Sequence, residues 1–432
     1  MSPDRCDPEE VWSYIQSLER LGTRLGLERV TKLVHVLGDP QDAYRTIHVV
    51  GTNGKTSTTR FISALLETHG LRTGSYISPH LVSLAERQMI DSVRMGDDEF
   101  CALVQRVRSA VPEVEAQLPA GETLTQFEVL TAAALLYFKE QECDVAVIEA
   151  GLGGRLDATS VIHSEVQVVT TIGMEHTELL GNTLSAILQE KAAVIPQGGK
   201  VVAGHLALDV NAELREICAA RAAKVHLLGD DIVVLAESRG ESFDVFGLHS
   251  CYTDLRLSVL GSYQRANAAL AIAAVELFLD RELDPAATRE ALLRTKVPGR
   301  LEVISAQPLC IFDGSHNPPG MYETMRSLEQ MLRRRRLIAV VSILRDKDAE
   351  EMIRFLAPHC DIIFATENSS PRSLSADELA AIISGVDDDA EVFVDPDPRS
   401  AMVSAYRLAS SNQVVLVIGS LALISDLKRS LG

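Results

Sequence analysis

The chain of 432 residues has only seven cysteines, Cys6, Cys101, Cys143, Cys218, Cys251, Cys310 and Cys360, and no two of them form a CxxC pair. That scatter excludes a disulfide framework and a cysteine zinc site; it reads as reduced thiols in a reducing compartment, most of them core filler. No apolar run approaches the roughly 20 residues that span a bilayer. The opening "MSPDRCDPEEVW" is acidic and polar, unlike a secretory leader. A soluble, cytoplasmic protein is therefore expected. Positive charge is scarce as well: 41 Lys and Arg stand against 60 Asp and Glu, a formal charge of −19. Such a surface repels nucleic acid and anionic lipid, so neither is expected as a partner. A small anionic ligand needs only a local cluster of donors and stays open. Internal repeats, low-complexity tracts and heptad stripes are missing, which points to a monomer.

What the chain does have is alternation. Its length fits two or three domains, and 46% hydrophobic residues are enough for a large core. Apolar runs at 47–51, 144–151, 166–173, 200–205, 309–314, 337–344, 361–367 and 414–420 read as strands. Helical periodicity lies between them, as in "TQFEVLTAAALLYFKEQ" (125–141) and "QRANAALAIAAVELFL" (264–279). Continuous apolar strands separated by helices predict an α/β fold with parallel sheets covered on both faces. Residues 225–260 break the pattern with short alternating runs and read as an antiparallel excursion. "RTKVPGRLEV" (294–303) closes a helical pattern with Pro and Gly before a new strand. The expected division is therefore 1–296 and a doubly wound, Rossmann-like domain at 297–432. "RRRR" (333–336) reads as a solvated helix end. "DDD" (387–389) reads as a loop, since it lacks calcium-site spacing.

Chemistry concentrates in "IHVVGTNGKTSTTRFISALL" (47–66), where a strand runs into a glycine turn and then a helix. Backbone N–H groups of such a turn point at an anion, and Lys55 adds charge. Val49 stands where the usual Walker pattern has glycine, so Gly51, Thr52, Asn53, Gly54, Lys55, Thr56 and Ser57 make a shortened variant. A phosphate turn of this kind works with a divalent ion. Glu149, at the C-terminal end of an apolar strand, is a candidate ligand, because a carboxylate there is costly unless paired or metal-bound. His176 follows the next strand and is a second candidate.

These motifs together resemble the dihydrofolate synthase/folylpolyglutamate synthase family of the Mur ligase superfamily. The resemblance runs from about residue 25 to residue 420. It is carried by "GTNGKTS", "YISPHLVSLAER", "TQFEVLTAAAL", "EAGLGGRLDAT", "GMEHTELLG", "LQEKAAVI", "GSYQRANAALA", "VPGRLEV" and "DGSHNPPG". It implies a Mur-ligase-type ATPase domain over 1–296 and a C-terminal glutamate ligase domain. It implies that Gly54, Lys55, Thr56 and Ser57 hold the ATP phosphates, with Asn267, Arg300 and Asp313 as further ATP contacts and His316 in the same cleft. Ser78, Glu149, His176 and Lys191 would be magnesium ligands for two ions, Lys191 as a carbamate, which requires a neutral amine and so a depressed pKa. The pterin-bearing substrate would lie near Gly26, Leu27, Thr125, Gln126, Phe127, Glu128, Leu156, Asp157 and Ala158. Three positions depart from the family pattern: Thr56 replaces glycine, Ser160 asparagine and Tyr263 histidine.

The implied reaction is ATP-dependent joining of L-glutamate to dihydropteroate, to folates, or to both. A carboxylate does not condense with an amine in neutral water, so the γ-phosphoryl group would first make an acyl phosphate. Lys55 and magnesium would offset the charge that builds on the phosphates. Two other readings stay open. One is a Mur-type ligase for a non-folate carboxylate. The other is a P-loop nucleotide-dependent regulatory protein, which would need neither an amino-acid pocket nor Lys191 chemistry.

Overall fold

Five of the six residues of Arg45–Val50 are buried, because this strand (β1) has a parallel neighbour on each edge and helices on its faces. In the computed structural model, which describes residues 8–19, 22, 24–236, 242–332, 335–387 and 390–431, the chain forms two compact units. One comprises residues 1–80, 84–257 and 266–295, the other 81–83, 258–265 and 296–432. Cys6 with most of the opening segment, residues 237–241 of the excursion, Arg333, Arg334, Asp388 and Asp389 lie outside the described residues.

In the first unit, β1 is followed by β2 (Thr73–Tyr76), β3 (Gln88–Ile90), β4 (Val93–Arg94), β5 (Val145–Glu149), β6 (Val166–Val169), β7 (Lys200–Ala203) and β8 (Lys224–Leu227). Among the described residues these eight strands make one sheet in the order β4-β3-β2-β5-β1-β6-β7-β8. It is parallel from β2 to β8, with β3 and β4 antiparallel at one edge. The helices Pro8–Glu19, Glu28–Val36, Asp97–Glu115 and Gln126–Glu140 pack into one core with Phe100, Leu130 and Phe138. A second core gathers Leu188, Val201, Val210 and Leu214 under the helices Leu184–Ala192 and Leu208–Ala220.

The excursion is smaller than the sequence pattern suggests. Lys224–Leu227, expected within it, extends the parallel sheet beside β7. As an edge strand it has one neighbour and half-buried side chains, so its pattern alternates like that of an antiparallel strand. The antiparallel part is β9 (Val233–Ala236), β10 (Phe243–Phe246) and β11 (Cys251–Leu255). A single carboxylate anchors it. Glu276, fully buried in the helix Tyr263–Leu279, accepts from the N–H groups of Leu248, His249 and Ser250 and from the Tyr252 hydroxyl, at 2.7, 3.2, 3.1 and 2.8 Å. Those bonds offset the cost of burying the charge.

The second unit is doubly wound. Its sheet runs β12-β13-β17-β14-β15-β16, where these are Glu302–Ala306, Leu309–Phe312, Gln413–Ile418, Arg336–Val341, Cys360–Ala365 and Glu391–Val394. Only β12 pairs antiparallel. Successive residues of β14 serve opposite cores: Leu337, Ala339 and Val341 meet Met325, Met352 and Ile383, whereas Ile338 and Val340 meet Ala401, Ala405 and Leu427. That two-sided burial is why the strand is apolar from Leu337 to Val341. Arg336, expected as part of a solvated helix end, pairs with Asp361 at 2.8 Å and donates to the carbonyls of Pro358 and Cys360. Five of the six described cysteines are buried, and none is disulfide-bonded. Among the described residues no helix is long and apolar enough to cross a membrane.

Candidate active site

The turn after β1 is shaped by two close approaches. Gly51 has φ +148° and Gly54 +87°; a Cβ at Gly51 would come within 1.9 Å of the Thr170 hydroxyl, and one at Gly54 within 2.6 Å of the Asn267 side-chain oxygen. Only glycine fits either place. The Asn267 side chain thus rests on the turn. The loop after β6 clamps the turn from the other side. Thr171 accepts from the Asn53 N–H at 2.9 Å, and Thr170 donates to the Asn53 carbonyl at 2.6 Å. The Thr52 hydroxyl both donates to the carbonyl and accepts from the N–H of Gly173, at 3.2 and 3.0 Å. The clamp takes up the Thr52 and Asn53 N–H groups and fixes the turn ahead of the helix N-terminus, where N–H groups bind anions.

Two lysines end at the same turn. Lys55, at the start of the helix Lys55–Thr68, donates to the carbonyls of Gly51 and Thr52, each at 3.0 Å. Lys191, in the helix Leu184–Ala192, donates to the Gly51 carbonyl at 2.9 Å. Lys191 is 5% exposed. Burial, helped by the nearby charge of Lys55, pushes its pKa down from 10.5 to about 7.

Glu149 ends β5 at 1% exposure. The Thr56 hydroxyl donates to its two oxygens at 2.9 and 3.0 Å, and the Ser78 N–H lies 3.3 Å away. The fold brings these together because β1, β5 and β2 are adjacent and all end on the same edge. Ser57, one residue on, is buried, so Thr56 is the hydroxyl of the turn that meets the carboxylate. His176 takes the left-handed conformation, φ 52°, ahead of the short helix Thr177–Leu180, with Nε2 3.9 Å from Glu175. Among the described residues no three His, Cys, Asp or Glu side chains converge as a ready-made metal cluster.

The expected pterin contacts divide in two. Gly26 donates its N–H to the Leu156 carbonyl at 3.3 Å, which brings Gly26 and Leu27 to the loop of Leu156, Asp157 and Ala158. Asp157 is buried, and burial raises its pKa despite bonds from the N–H groups of Leu152 and Thr159 and from the Thr159 hydroxyl, at 2.7, 3.0 and 2.5 Å. In "TQFE", Thr125 and Glu128 form a capping box at the start of the helix Gln126–Glu140. Glu128 is also paired with Arg29 at 3.0 Å, and Gln126 donates to the Ile15 carbonyl at 3.2 Å. Three of the four side chains thus do structural work, and half-buried Phe127 lies with its ring 6.2 Å from that of Tyr76. At the departure from the family pattern, the Ser160 hydroxyl closes the same loop on the Gly154 carbonyl at 2.5 Å.

In the second unit, Asp313 is fully buried and accepts from the N–H groups of Leu301 and Ser315 at 2.8 and 3.0 Å and from the Thr324 hydroxyl at 3.1 Å. The His316 Nδ1 lies 2.8 Å from the Gly314 carbonyl. A carbonyl only accepts, so Nδ1 carries a proton, and in the neutral ring the lone pair is on Nε2. An Arg300 nitrogen would lie 2.9 Å from a Cβ built on Gly314, so Arg300 borders the same turn. Tyr263 is half-buried, with its hydroxyl bonded to Thr324; desolvation of the phenol, then Asp313, raises its pKa.

Sequence reading missed the clamp residues Thr170 and Thr171, the ion pair of Arg29, and the buried His48 and Thr159. The signal for the first two is a polar pair at the end of an apolar strand, where open sheets hold ligands.

Residues 49–275 match the Mur ligase middle domain, and residues 299–421 match the Mur ligase, glutamate ligase domain. The chain is 34% identical over 435 residues to a dihydrofolate synthase/folylpolyglutamate synthase of Bacillus subtilis (strain 168), covering 98% of this chain and 99% of that one. Its fold is similar to Mycobacterium tuberculosis folylpolyglutamate synthase complexed with ADP, with TM-score 0.92, 31% identity and 99% of each chain covered. It is also similar to Escherichia coli FolC in complex with DHPP and ADP, with TM-score 0.88, 27% identity and coverage of 100% and 99%. A bifunctional folylpolyglutamate synthase/dihydrofolate synthase with Mn, AMPPNP and L-glutamate bound matches at TM-score 0.85 and 29% identity over 100% of each chain.

Proposed function

The chain belongs to the dihydrofolate synthase/folylpolyglutamate synthase family of Mur ligases, and from that premise we propose how its residues carry out the reaction. The protein is an ATP-dependent ligase that adds L-glutamate to dihydropteroate, to folates, or to both, and it uses a nucleotide and a divalent metal. The observation that carries our residue assignment is the meeting of Lys55 and Lys191 at one carbonyl of the phosphate turn, beside the Thr56–Glu149 pair.

In this reading the turn from Gly51 to Ser57 holds the triphosphate, and Lys55 turns from the Gly51 carbonyl to the phosphate oxygens. A substrate carboxylate oxygen attacks the γ-phosphorus and ADP departs, leaving an acyl phosphate. The glutamate nitrogen attacks the acyl carbon, and phosphate leaves with the electron pair of the C–O bond. The amine proton passes to the His316 Nε2 or to water. Lys55 offsets charge that grows on the transferring group, and the turn holds the reacting atoms in line. Arg300, Asp313 and Asn267 complete the nucleotide contacts. Asp157, with the loop around Gly26 and Leu27 and with Phe127, receives the pterin.

The residues fit a divalent ion. Glu149 offers a buried carboxylate with the Thr56 and Ser78 groups beside it, a hard oxygen set suited to magnesium. Lys191 as an amine is a donor, not a ligand; its depressed pKa supplies the neutral form that adds carbon dioxide, loses a proton and becomes a carbamate anion. Glu149, Ser78, His176 and carbamylated Lys191 would then hold two ions, whose chemistry is to neutralise phosphate charge and draw the substrate carboxylate toward it. The same reading has the protein act as a cytoplasmic monomer, its nucleotide half in residues 1–296 and its glutamate half in 297–432.

The test is magnesium-dependent phosphate release from ATP with glutamate, comparing dihydropteroate with a tetrahydrofolate and weighing the products. A dihydropteroate product one glutamate heavier establishes the synthase activity, and the tetrahydrofolate arm reports the chain-extending one. Release with neither acceptor, from protein that binds ATP, overturns the folate assignment and points to another carboxylate.

A further inference from the structure

His48 lies in β1, the central strand that runs into the phosphate turn, at 1% exposure and in register between Ile148 and Gln167. An imidazole inside an apolar sheet is costly unless hydrogen-bonded. Its Nε2 lies 2.8 Å from the Thr159 hydroxyl, which is itself fully buried. That hydroxyl lies 2.5 Å from the Asp157 Oδ1. The carboxylate only accepts, so the single hydroxyl proton of Thr159 points at Asp157, and its lone pair faces His48. His48 must therefore carry its proton on Nε2. The three side chains form one directed relay, His48 to Thr159 to Asp157. The other oxygen of Asp157 is held by the Leu152 N–H at 2.7 Å.

We infer that His48 is a positioning residue for the pterin end of the substrate, acting through Thr159 to orient the Asp157 carboxylate. The inference rests on the reading above that Asp157 lines the pterin site. A core histidine serving only packing would meet apolar neighbours or a strand carbonyl. This one meets a hydroxyl whose proton is committed to a substrate-site carboxylate. The strand that carries it also carries the phosphate turn. Gly51 is three residues on from His48, about 10 Å along a strand, so one rigid element sets the orientation of both ends of the site. Burial pushes the His48 pKa down to about 4, which agrees with a neutral, singly donating ring.

The experiment compares His48→Leu, His48→Gln, Thr159→Val, Thr159→Ser, Asp157→Ala and the double variant of His48→Leu with Thr159→Val in the full-length protein. It measures KM for dihydropteroate and for ATP, and dihydropteroate binding by calorimetry without ATP. His48→Leu and Thr159→Val should each weaken dihydropteroate about tenfold, the lower end for a bond to a charged group, with KM for ATP unchanged. The double variant should be no worse than either single one, because each breaks the same relay. His48→Gln and Thr159→Ser, which keep a donor and a hydroxyl, should recover most of the affinity. If Asp157→Ala weakens dihydropteroate while folded His48→Leu and Thr159→Val do not, the relay is overturned and the site reading stands. If Asp157→Ala has no effect on dihydropteroate, the site reading itself falls and the inference with it. Should His48→Leu fail to fold, the two Thr159 variants decide. A fall in melting temperature with both KM values unchanged would mark the relay as packing only and overturn the inference.

Discussion

Lys55 and Lys191 donate to the same oxygen, the carbonyl of Gly51, at 3.0 and 2.9 Å. Two ammonium groups at one acceptor repel, and Lys191 is also out of reach of water. Its proton is therefore weakly held, and its pKa stands at about 7 where an ordinary lysine stands at 10.5. Adding carbon dioxide to the neutral amine would turn that repulsion into attraction, since a carbamate anion would then face the Lys55 cation.

Stability should record this strain. Above pH 10.5 Lys191 is neutral in both states and costs nothing. As pH falls toward 7 the unfolded chain takes up the proton first, so the folded state loses ground, and below about 7 the penalty is complete. In buffer free of carbon dioxide, the native protein should gain on Lys191→Met as pH rises through that window, read by urea denaturation. A gap that does not change with pH would contradict the assignment.

Isotopically labelled bicarbonate should yield a carbamate carbon resonance in the native protein. Lys191→Arg should lack that signal and lose most of its ligase rate, because a guanidinium stays protonated. A labelled signal that survives in Lys191→Arg would place the modification elsewhere.

Thr56 holds Glu149, the metal ligand proposed above, and partners that orient a metal ligand matter about as much as the ligand. Thr56→Val should raise the magnesium needed for half-maximal rate by about tenfold or more, whereas Thr56→Ser stays near native. Magnesium titrations of the three proteins provide the check; identical curves would detach Thr56 from the metal.

His316 has its proton fixed on Nδ1 by the Gly314 carbonyl, which leaves Nε2 able to accept. His316→Ala should lower kcat about a hundredfold and leave ATP affinity unchanged. The loss should shrink at higher pH, as more of the glutamate amine is already deprotonated. A kcat defect that is constant with pH would remove His316 from proton transfer.

Glu276 anchors the three-stranded sheet through four bonds. Glu276→Ala leaves three part-buried N–H groups and the buried Tyr252 hydroxyl without their acceptor and should cost about 3 kcal/mol, and Glu276→Gln less, since an amide oxygen still accepts. Urea unfolding of the two variants measures the difference.

Much of the fold is legible in the order of residues alone. Each apolar run read as a strand, from 47–51 to 414–420, lies in a sheet, because a strand buried on both faces is apolar at nearly every position. The phosphate turn is legible because glycines at a strand-to-helix junction have few other uses. β2, "TGSY", is not: three of its four residues are small and none is aliphatic, and it is buried by elements that other segments place over it. "TQFE" is only half legible, since Thr125 and Glu128 also spell a helix start, and the capping box uses both.

Local periodicity and turn chemistry, then, determined the strands, the helices and the phosphate turn, because those depend on neighbours a few residues away. The register of β1 between β5 and β6, and the packing of the helix Leu184–Ala192 behind it, decided the rest. They put Lys191 on Gly51, Thr56 on Glu149 and His48 on Thr159, and the docking of two helices puts Arg29 on Glu128. Each of those pairs joins residues dozens of positions apart, and such partners are set by where whole elements dock, which no local pattern encodes.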